Sequence, residues 1–576
     1  MKLNVNKLIL LVIFLLALFV RMYKLGDFPE AIDEDEMALG YYGYSLVNNA
    51  TDEYGKRLPL YFESVGDYKY GLYSYFASLP IALFGLNALS TRMVAALAGA
   101  LSSIAVYYLA CEIFKNRRLA LISAFVLALA PTHIHFSRVA YNNVFGGLFA
   151  ILSYLFFLRW LKASNKKNLF LTFIFYLVAI FSYQAYRIFL PVVFLLTFIF
   201  LFKDLLKKGR AKKAMLVVIT SFLIVFLSFL SPQSRARSQN FSLLVNQPRI
   251  VEAITEDYFS QMPIFLTRAF HNKPITFILG YLERYLAYFD PRFLFLEASK
   301  SGDRHAVPGV GLVYLIEGPL FLLGILNLFS LFKDRKKYLP LVLLFTSPLA
   351  ASFVLEETST TRAIMITYAY ALIIAVGIYN LINFKKVGKF FAVLIFLAYL
   401  ANFAYAAHQY LVHKIYHHPW YSDVGLKEMA GAINNKYYST YSNFVMSGGH
   451  YISFLFYGQV DPKVFITKAE FLTERSEKGT RIKSYEKLIF NMPYECPLAG
   501  KVHVLYVCFG YKVPAKAKVI EVFRYRDGLP AIFLAEFSKG SESASLPERM
   551  KYSEDIDVRF PNGILPDKYP SFWPAQ

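Results

Sequence analysis

Apolar runs of near-membrane length recur from Leu8 to about Leu411, separated by short charged or aromatic stretches. Each approaches the ~20 residues a helix needs to cross hydrocarbon. The pattern predicts eleven spans, at roughly 7–20, 88–110, 119–136, 144–161, 169–183, 186–202, 214–230, 309–332, 338–355, 363–383 and 389–410. One further run, Gly71–Leu86, is short and interrupted by Pro80 and Gly85, and is read as a re-entrant or interfacial segment. After Tyr416 the long runs stop. Helical spacing over Val424–Ile433 precedes strand-like runs at Asn443–Met446, Val502–Phe509, Val519–Tyr525 and Ala531–Phe537. The expected architecture is a polytopic α-helical membrane protein: residues 1–410 with long loops 21–87 and 231–308, then a C-terminal α/β domain over 411–576.

The loops between spans sort by charge. Lys115–Arg118, Arg159–Lys167, Lys203–Lys213, Lys333–Lys337 and Lys385–Lys389 are basic. Loops 21–87, 137–143, 184–185, 231–308, 356–362 and the tail are polar, aromatic or acidic. The two sets alternate strictly, so the basic set reads as cytoplasmic and the other as extracytoplasmic. Counting Gly71–Leu86 as a span would break that alternation. The chain is expected to be a multi-pass protein of the plasma (cytoplasmic) membrane with its tail outside. A net charge of +21 on a chain that is 56% hydrophobic then reflects topology rather than nucleic-acid binding. Cys496 and Cys508 both fall in the tail and could pair in an oxidising compartment. The long outer loops are expected to carry short amphipathic helices on the membrane surface, Met37–Val47 among them, with Tyr41, Tyr44 and Leu46 facing the interface.

Chemistry concentrates just past the first span. Glu30, Asp33, Glu34, Asp35 and Glu36 lie within seven residues. Carboxylates so close repel one another, which raises at least one pKa and suits a general base. Lys69, Arg138, Arg304 and Arg362 lie in or next to outer loops, where cations meet an anionic group at the lipid–water boundary. There is no nucleotide-binding P-loop, no H-E-x-x-H and no C-x-x-C.

The ordered motifs resemble a known family. Asp35-Glu36 is followed by Tyr41-Tyr42-Gly43-Tyr44, Asp52-Glu53-Tyr54-Gly55, Leu58-Pro59-Leu60-Tyr61-Phe62, Gly66-Asp67-Tyr68-Lys69 and Leu72-Tyr73-Ser74-Tyr75. Phe136-Ser137-Arg138, Arg304-His305 with Pro308-Gly309, and Thr361-Arg362 come later. Over about residues 1–410 this resembles the C-type (GT-C) superfamily of integral membrane glycosyltransferases, in the branch of protein O-mannosyltransferases and the aminoarabinose transferase of lipid A.

The resemblance implies a donor sugar linked to polyprenyl phosphate and an acceptor hydroxyl on a protein, lipid or glycan. It implies Asp35 as the base, with Glu36 holding acceptor or metal, and Lys69, Arg138, Arg304 and Arg362 binding the leaving phosphate. Asp67, His305 and Asp33 are supporting residues. Tyr70-Gly71 replace two prolines that follow the family's lysine. The sequence singles out no cofactor. A divalent metal on Asp35, Glu36 and His305 is permitted by the residue types, not demanded by their spacing. A lipid or sugar transporter is the alternative; it predicts midplane charges and inverted repeats, neither of which the sequence displays.

Overall fold

The computed structural model describes residues 5–65, 67–239, 248–298, 305, 307–354, 358–417, 423–474, 480–492, 496–510, 513–514, 516–538 and 552–553. They form two compact units. One comprises the described parts of Met1–Pro29, Leu60–Phe62 and Tyr68–Lys414; the other those of Glu30–Pro59, Glu63–Asp67 and Ile415–Gln576.

The first unit is helical and makes the chain an integral membrane protein. Among the described residues, seven helices are long and apolar enough to cross a membrane: Val5–Met22, Ala88–Phe114, Asn142–Ala163, Tyr186–Lys207, Ala211–Ser228, Met365–Ile382 and Gly388–His413. Helices Arg117–Leu129 and Pro131–Ser137 together make an eighth candidate, bent by 60°. Pro131 explains the bend, because its ring excludes the preceding residue from helical geometry. Met365–Ile382 is buried along most of its length. By contrast, Gly388–His408 exposes Phe390, Val393, Phe396, Leu397 and Leu400, as a lipid-facing helix does. The helices Glu317–Leu331 and Met365–Ile382 approach closely at two glycines. A Cβ at Gly377 would lie 2.0 Å from the Leu320 carbonyl oxygen, and one at Gly324 would lie 2.1 Å from that of Ile373.

Two expected spans are shorter than hydropathy suggested, and a third, matched by helix Lys166–Ile180, keeps its length but is displaced. The run 309–332 is helical only from Glu317, because 310–313 is drawn into backbone hydrogen bonds with Phe293, Leu294 and Ala298. In 338–355 the α-helix is Leu339–Thr346, and Pro348 follows its end. In 169–183 the helix stops at Ile180. Gly71–Leu86 contains a 13-residue helix, Leu72–Phe84, which is about 20 Å long and too short to span alone.

The second unit is α/β. Its seven-stranded sheet runs in the order Ala469–Phe471, Ile482–Tyr485, Leu488–Met492, Asn443–Ser447, Val504–Phe509, Pro530–Phe537 and Ala517–Arg524. Asn443–Ser447 pairs in parallel with both neighbours; the other pairings are antiparallel. Cys496 and Cys508 form a disulfide within an apolar core that includes Tyr506, Phe533 and Phe537.

Helix Glu34–Asn49 packs in this unit against Tyr451–Tyr457. The expected membrane-surface helix over Met37–Val47 is thereby corrected. Met37 to Tyr42 are all buried, and the Tyr41 and Tyr44 hydroxyls donate to the Val460 and Gln459 carbonyls. The periodicity that suggested a lipid-facing stripe serves a protein core instead.

Candidate functional site

The acidic segment is the start of a helix. Asp33 is the N-cap of Glu34–Asn49 and accepts a hydrogen bond from the Glu36 amide at 2.9 Å, while Glu36 Oε2 accepts from the Asp33 amide at 3.5 Å. This reciprocal capping box satisfies two amides that a helix start would otherwise leave unpaired. Glu34, Asp35 and Glu36 fill the first turn, where the positive end of the helix dipole favours negative charge. Their crowding thus has a folding cause. Glu36 is buried and Asp35 half-buried.

Neighbouring acids anchor the same unit. Tyr451 donates to Glu53 Oε1 at 2.5 Å, and Glu53 is 0% exposed. Arg481 pairs with Glu63 at 3.0 Å and covers the Tyr54 ring. Asp52 accepts from the amides of Tyr54 and Lys56 at 3.0 and 2.8 Å. Burial pushes its carboxyl above the usual range, against the opposing pull of those amides. The motif Asp52-Glu53-Tyr54-Gly55 is therefore a turn closed by its own carboxylate.

The cations belong to the helical unit. Arg138 follows helix Pro131–Ser137 and donates through Nη1 to the Val20 and Arg21 carbonyls at 2.9 and 3.1 Å, and through Nη2 to that of Phe28 at 3.2 Å. It thus closes the C-terminal end of the first helix, where carbonyls lack intrahelical partners. Its guanidinium lies over the Tyr410 ring, and its Nε has no hydrogen-bond partner among the described residues. Arg92, also buried, donates to the Leu25 and Pro29 carbonyls.

Arg138 lines a cavity of about 240 Å³ whose other walls are almost wholly apolar: Phe19, Val20, Ile134, Phe403 and Leu411 among them. Adjacent asparagines tie further elements to this region. Asn142 Nδ2 donates to the Tyr70 carbonyl, next to Lys69, and Asn143 Nδ2 to the Thr361 carbonyl, next to Arg362, each at 3.3 Å. Lys69 lies in strand Tyr68–Tyr70 and is half-buried. The Arg362 guanidinium donates to Ser359 Oγ at 2.8 Å. His305 packs its ring on Phe136 and Tyr141. Contacts of Phe136, Tyr141, Asn142 and Asn143 so tie His305 and the backbones beside Lys69 and Arg362 to the segment that contains Arg138.

Arg304 lies outside the described residues. Asp33, Asp35, Glu36 and Asp67 belong to the α/β unit, whereas Lys69, Arg138, His305 and Arg362 belong to the helical one. Among the described residues no group of three or more His, Cys, Asp or Glu side chains is close enough to hold a metal ion.

Sequence reasoning passed over three buried polar residues. Arg21, read only as the end of the first span, donates to the Ala17 and Ala128 carbonyls and lies 3.0 Å from His133 Nδ1. Arg187 donates to Tyr61 and Ser234. His135, inside an apolar run, has neither ring nitrogen hydrogen-bonded among the described residues. An arginine or histidine within a span is a signal in itself, because the bilayer penalises it.

A family profile described as dolichyl-phosphate-mannose-protein mannosyltransferase matches residues 11–232. It falls on the segment that carries most of the motifs and bears out the resemblance they suggested. Comparison with curated protein sequences found no match. Solved structures similar to this chain include the archaeal oligosaccharyltransferase AglB from Archaeoglobus fulgidus, in complex with an inhibitory peptide and a dolichol-phosphate. The identity is 13% and the TM-score 0.49, over 87% of this chain and 66% of that one. They also include ArnT from Cupriavidus metallidurans bound to undecaprenyl phosphate, at 12% identity and a TM-score of 0.46, over 92% and 97% of the two chains. This chain spans just under two thirds of the length of AglB.

Proposed function

We propose that this chain, whose residues 11–232 match the dolichyl-phosphate-mannose-protein mannosyltransferase family, transfers a sugar from a polyprenyl-phosphate-linked donor to an acceptor hydroxyl at the outer face of the cytoplasmic membrane. The observation that carries the reading is the apolar cavity with Arg138 as its charged lining residue. Such a cavity suits a lipid chain, and a guanidinium at its wall suits the phosphate that ends it.

In the proposed reaction the acceptor oxygen attacks the anomeric carbon with inversion, and the bond from that carbon to the phosphate oxygen breaks. Asp35 takes the acceptor proton. Asp35 is chosen by its match to the Asp-Glu pair of the family it resembles. Arg138, with Lys69, Arg304 and Arg362, neutralises the departing phosphate. Glu36, Asp67 and His305 support the site. Mannose is the first donor to test, on the strength of the family match. The extracytoplasmic placement of the α/β unit is supported by the alternation of basic loops and by the Cys496–Cys508 disulfide.

The test is incubation of purified full-length protein with polyprenyl-phosphate-mannose and candidate acceptors. Sugar transfer by the wild type and its loss in Asp35→Asn is the expected result. Undiminished transfer by that variant removes Asp35 as base.

A further inference from the structure

Helix Pro131–Ser137 presents Pro131 and Ile134, with Arg138 just beyond it, to the apolar cavity. His135 occupies the same side of the helix by its spacing from Pro131 and Arg138. It is 2% exposed, and both its Nδ1 and Nε2 lack a hydrogen-bond partner among the described residues. Leaving a buried imidazole unsatisfied is costly, so its retention needs a cause. Its surroundings supply one. The ring packs against Tyr410, which lines the cavity and also carries the Arg138 guanidinium on its face. The ring also packs against Phe136, whose own ring carries that of His305. An imidazole N–H beside a guanidinium can donate toward an anion that the guanidinium attracts.

We infer that His135 is a ligand of the donor's phosphate, donating a hydrogen bond from one ring nitrogen to a phosphate oxygen while Arg138 supplies the balancing charge. The inference rests on the lipid-linked donor reading above and adds one residue to it, His135. His135 binds both the donor and the polyprenyl phosphate left after transfer, so its role is measurable without turnover.

The experiment measures binding of undecaprenyl phosphate and of undecaprenol, its phosphate-free alcohol, to purified full-length protein in nanodiscs. Wild type, His135→Phe, which keeps a ring but no donor, and His135→Asn, which keeps a donor, are compared after thermal unfolding has verified their folding. Loss of one hydrogen bond to a charged group corresponds to a weakening of about ten-fold or more. The expected result is that weakening for undecaprenyl phosphate in His135→Phe, unchanged undecaprenol binding, and partial recovery in His135→Asn. Should His135→Phe not fold, equal weakening in His135→Ala with intact undecaprenol binding serves in its place. Wild-type affinity for undecaprenyl phosphate in the donor-free variants overturns the role of His135 and leaves the donor reading standing. A wild type that does not prefer the phosphate over the alcohol overturns both.

Discussion

Arg138 donates a hydrogen bond to the Val20 carbonyl at 2.9 Å, joining residues 118 positions apart in the chain. One guanidinium thereby closes the end of the first helix and lines the apolar cavity. Arg138→Ala should lose both roles. We expect a fall of about 100-fold or more in kcat/KM for the lipid-linked donor and a loss of ~1–3 kcal/mol in stability from the abandoned carbonyls. Arg138→Lys keeps the charge but not the fork, so it should recover stability poorly. Steady-state kinetics alongside thermal unfolding separates the two effects.

Asp33 and Asp35 are two residues apart and should respond differently. Asp33→Ala removes the N-cap and should cost ~1 kcal/mol of stability, with activity falling in proportion to the folded fraction. Asp35→Asn should leave stability within ~0.5 kcal/mol and lower kcat by roughly 100- to 10,000-fold. A stability loss in Asp35→Asn as large as that in Asp33→Ala would count against the separation of roles.

Tyr451→Phe removes the hydroxyl that donates to the buried Glu53 carboxylate. Losing a donor to a buried carboxylate should cost ~1–3 kcal/mol. The double variant with Glu53→Gln should recover part of it, because the neutral amide is cheaper to bury. A double-mutant cycle by chemical denaturation reads the coupling directly.

Asp52 sets a pH dependence opposite to that of an ion-paired carboxylate. Burial raises its folded pKa above the unfolded value. Between those two values the native state binds more protons than the unfolded one. The contribution of Asp52 to stability therefore falls as pH rises through that window, and is restored on acidification. Asp52→Asn keeps an oxygen for the Tyr54 and Lys56 amides and does not ionise. It should be at least as stable as the wild type at pH 7, and the difference should vanish well below the ordinary carboxylate range. Unfolding midpoints measured from pH 3 to pH 8 check this.

The Cys496–Cys508 disulfide closes a short loop, with a sequence separation of 12. Replacing both cysteines by serine should lower the stability of the α/β unit by about 3 kcal/mol. Thiol labelling of the wild type should reach Cys496 and Cys508 only after reduction, whereas half-buried Cys111 is a free thiol throughout.

The membrane helices were legible because ~20 apolar residues have few other uses, and each of the eleven expected spans overlaps a helix in the structure. Their ends were less legible. At 309–316 backbone partners 12 or more residues away replaced helical hydrogen bonds, which local hydropathy does not encode. The central strands Asn443–Ser447, Val504–Phe509 and Pro530–Phe537 were visible as β-branched and aromatic runs. The hairpin Ile482–Tyr485 with Leu488–Met492 was not, since its strands are short and mixed and Glu486 turns at a φ of +50° without a glycine.

In the acidic segment a general base was expected and the capping box was missed, although Asp33-Glu34-Asp35-Glu36 has its spacing. His135 escaped notice although a histidine inside an apolar run is itself a signal. Only the placement of Arg138 and Tyr410 around it shows what it faces.

The central claim is that this protein cleaves the bond between a sugar and a polyprenyl phosphate. Its most direct measurement is mass-spectrometric detection of polyprenyl phosphate released from polyprenyl-phosphate-mannose by the purified protein, with acceptor present. The account predicts release by the wild type, coupled one-to-one to sugar on the acceptor, and loss of release in Asp35→Asn and in Arg138→Ala. Donor that stays intact with the wild type across the lipid-linked sugars tested, or release that is undiminished in both variants, would contradict it.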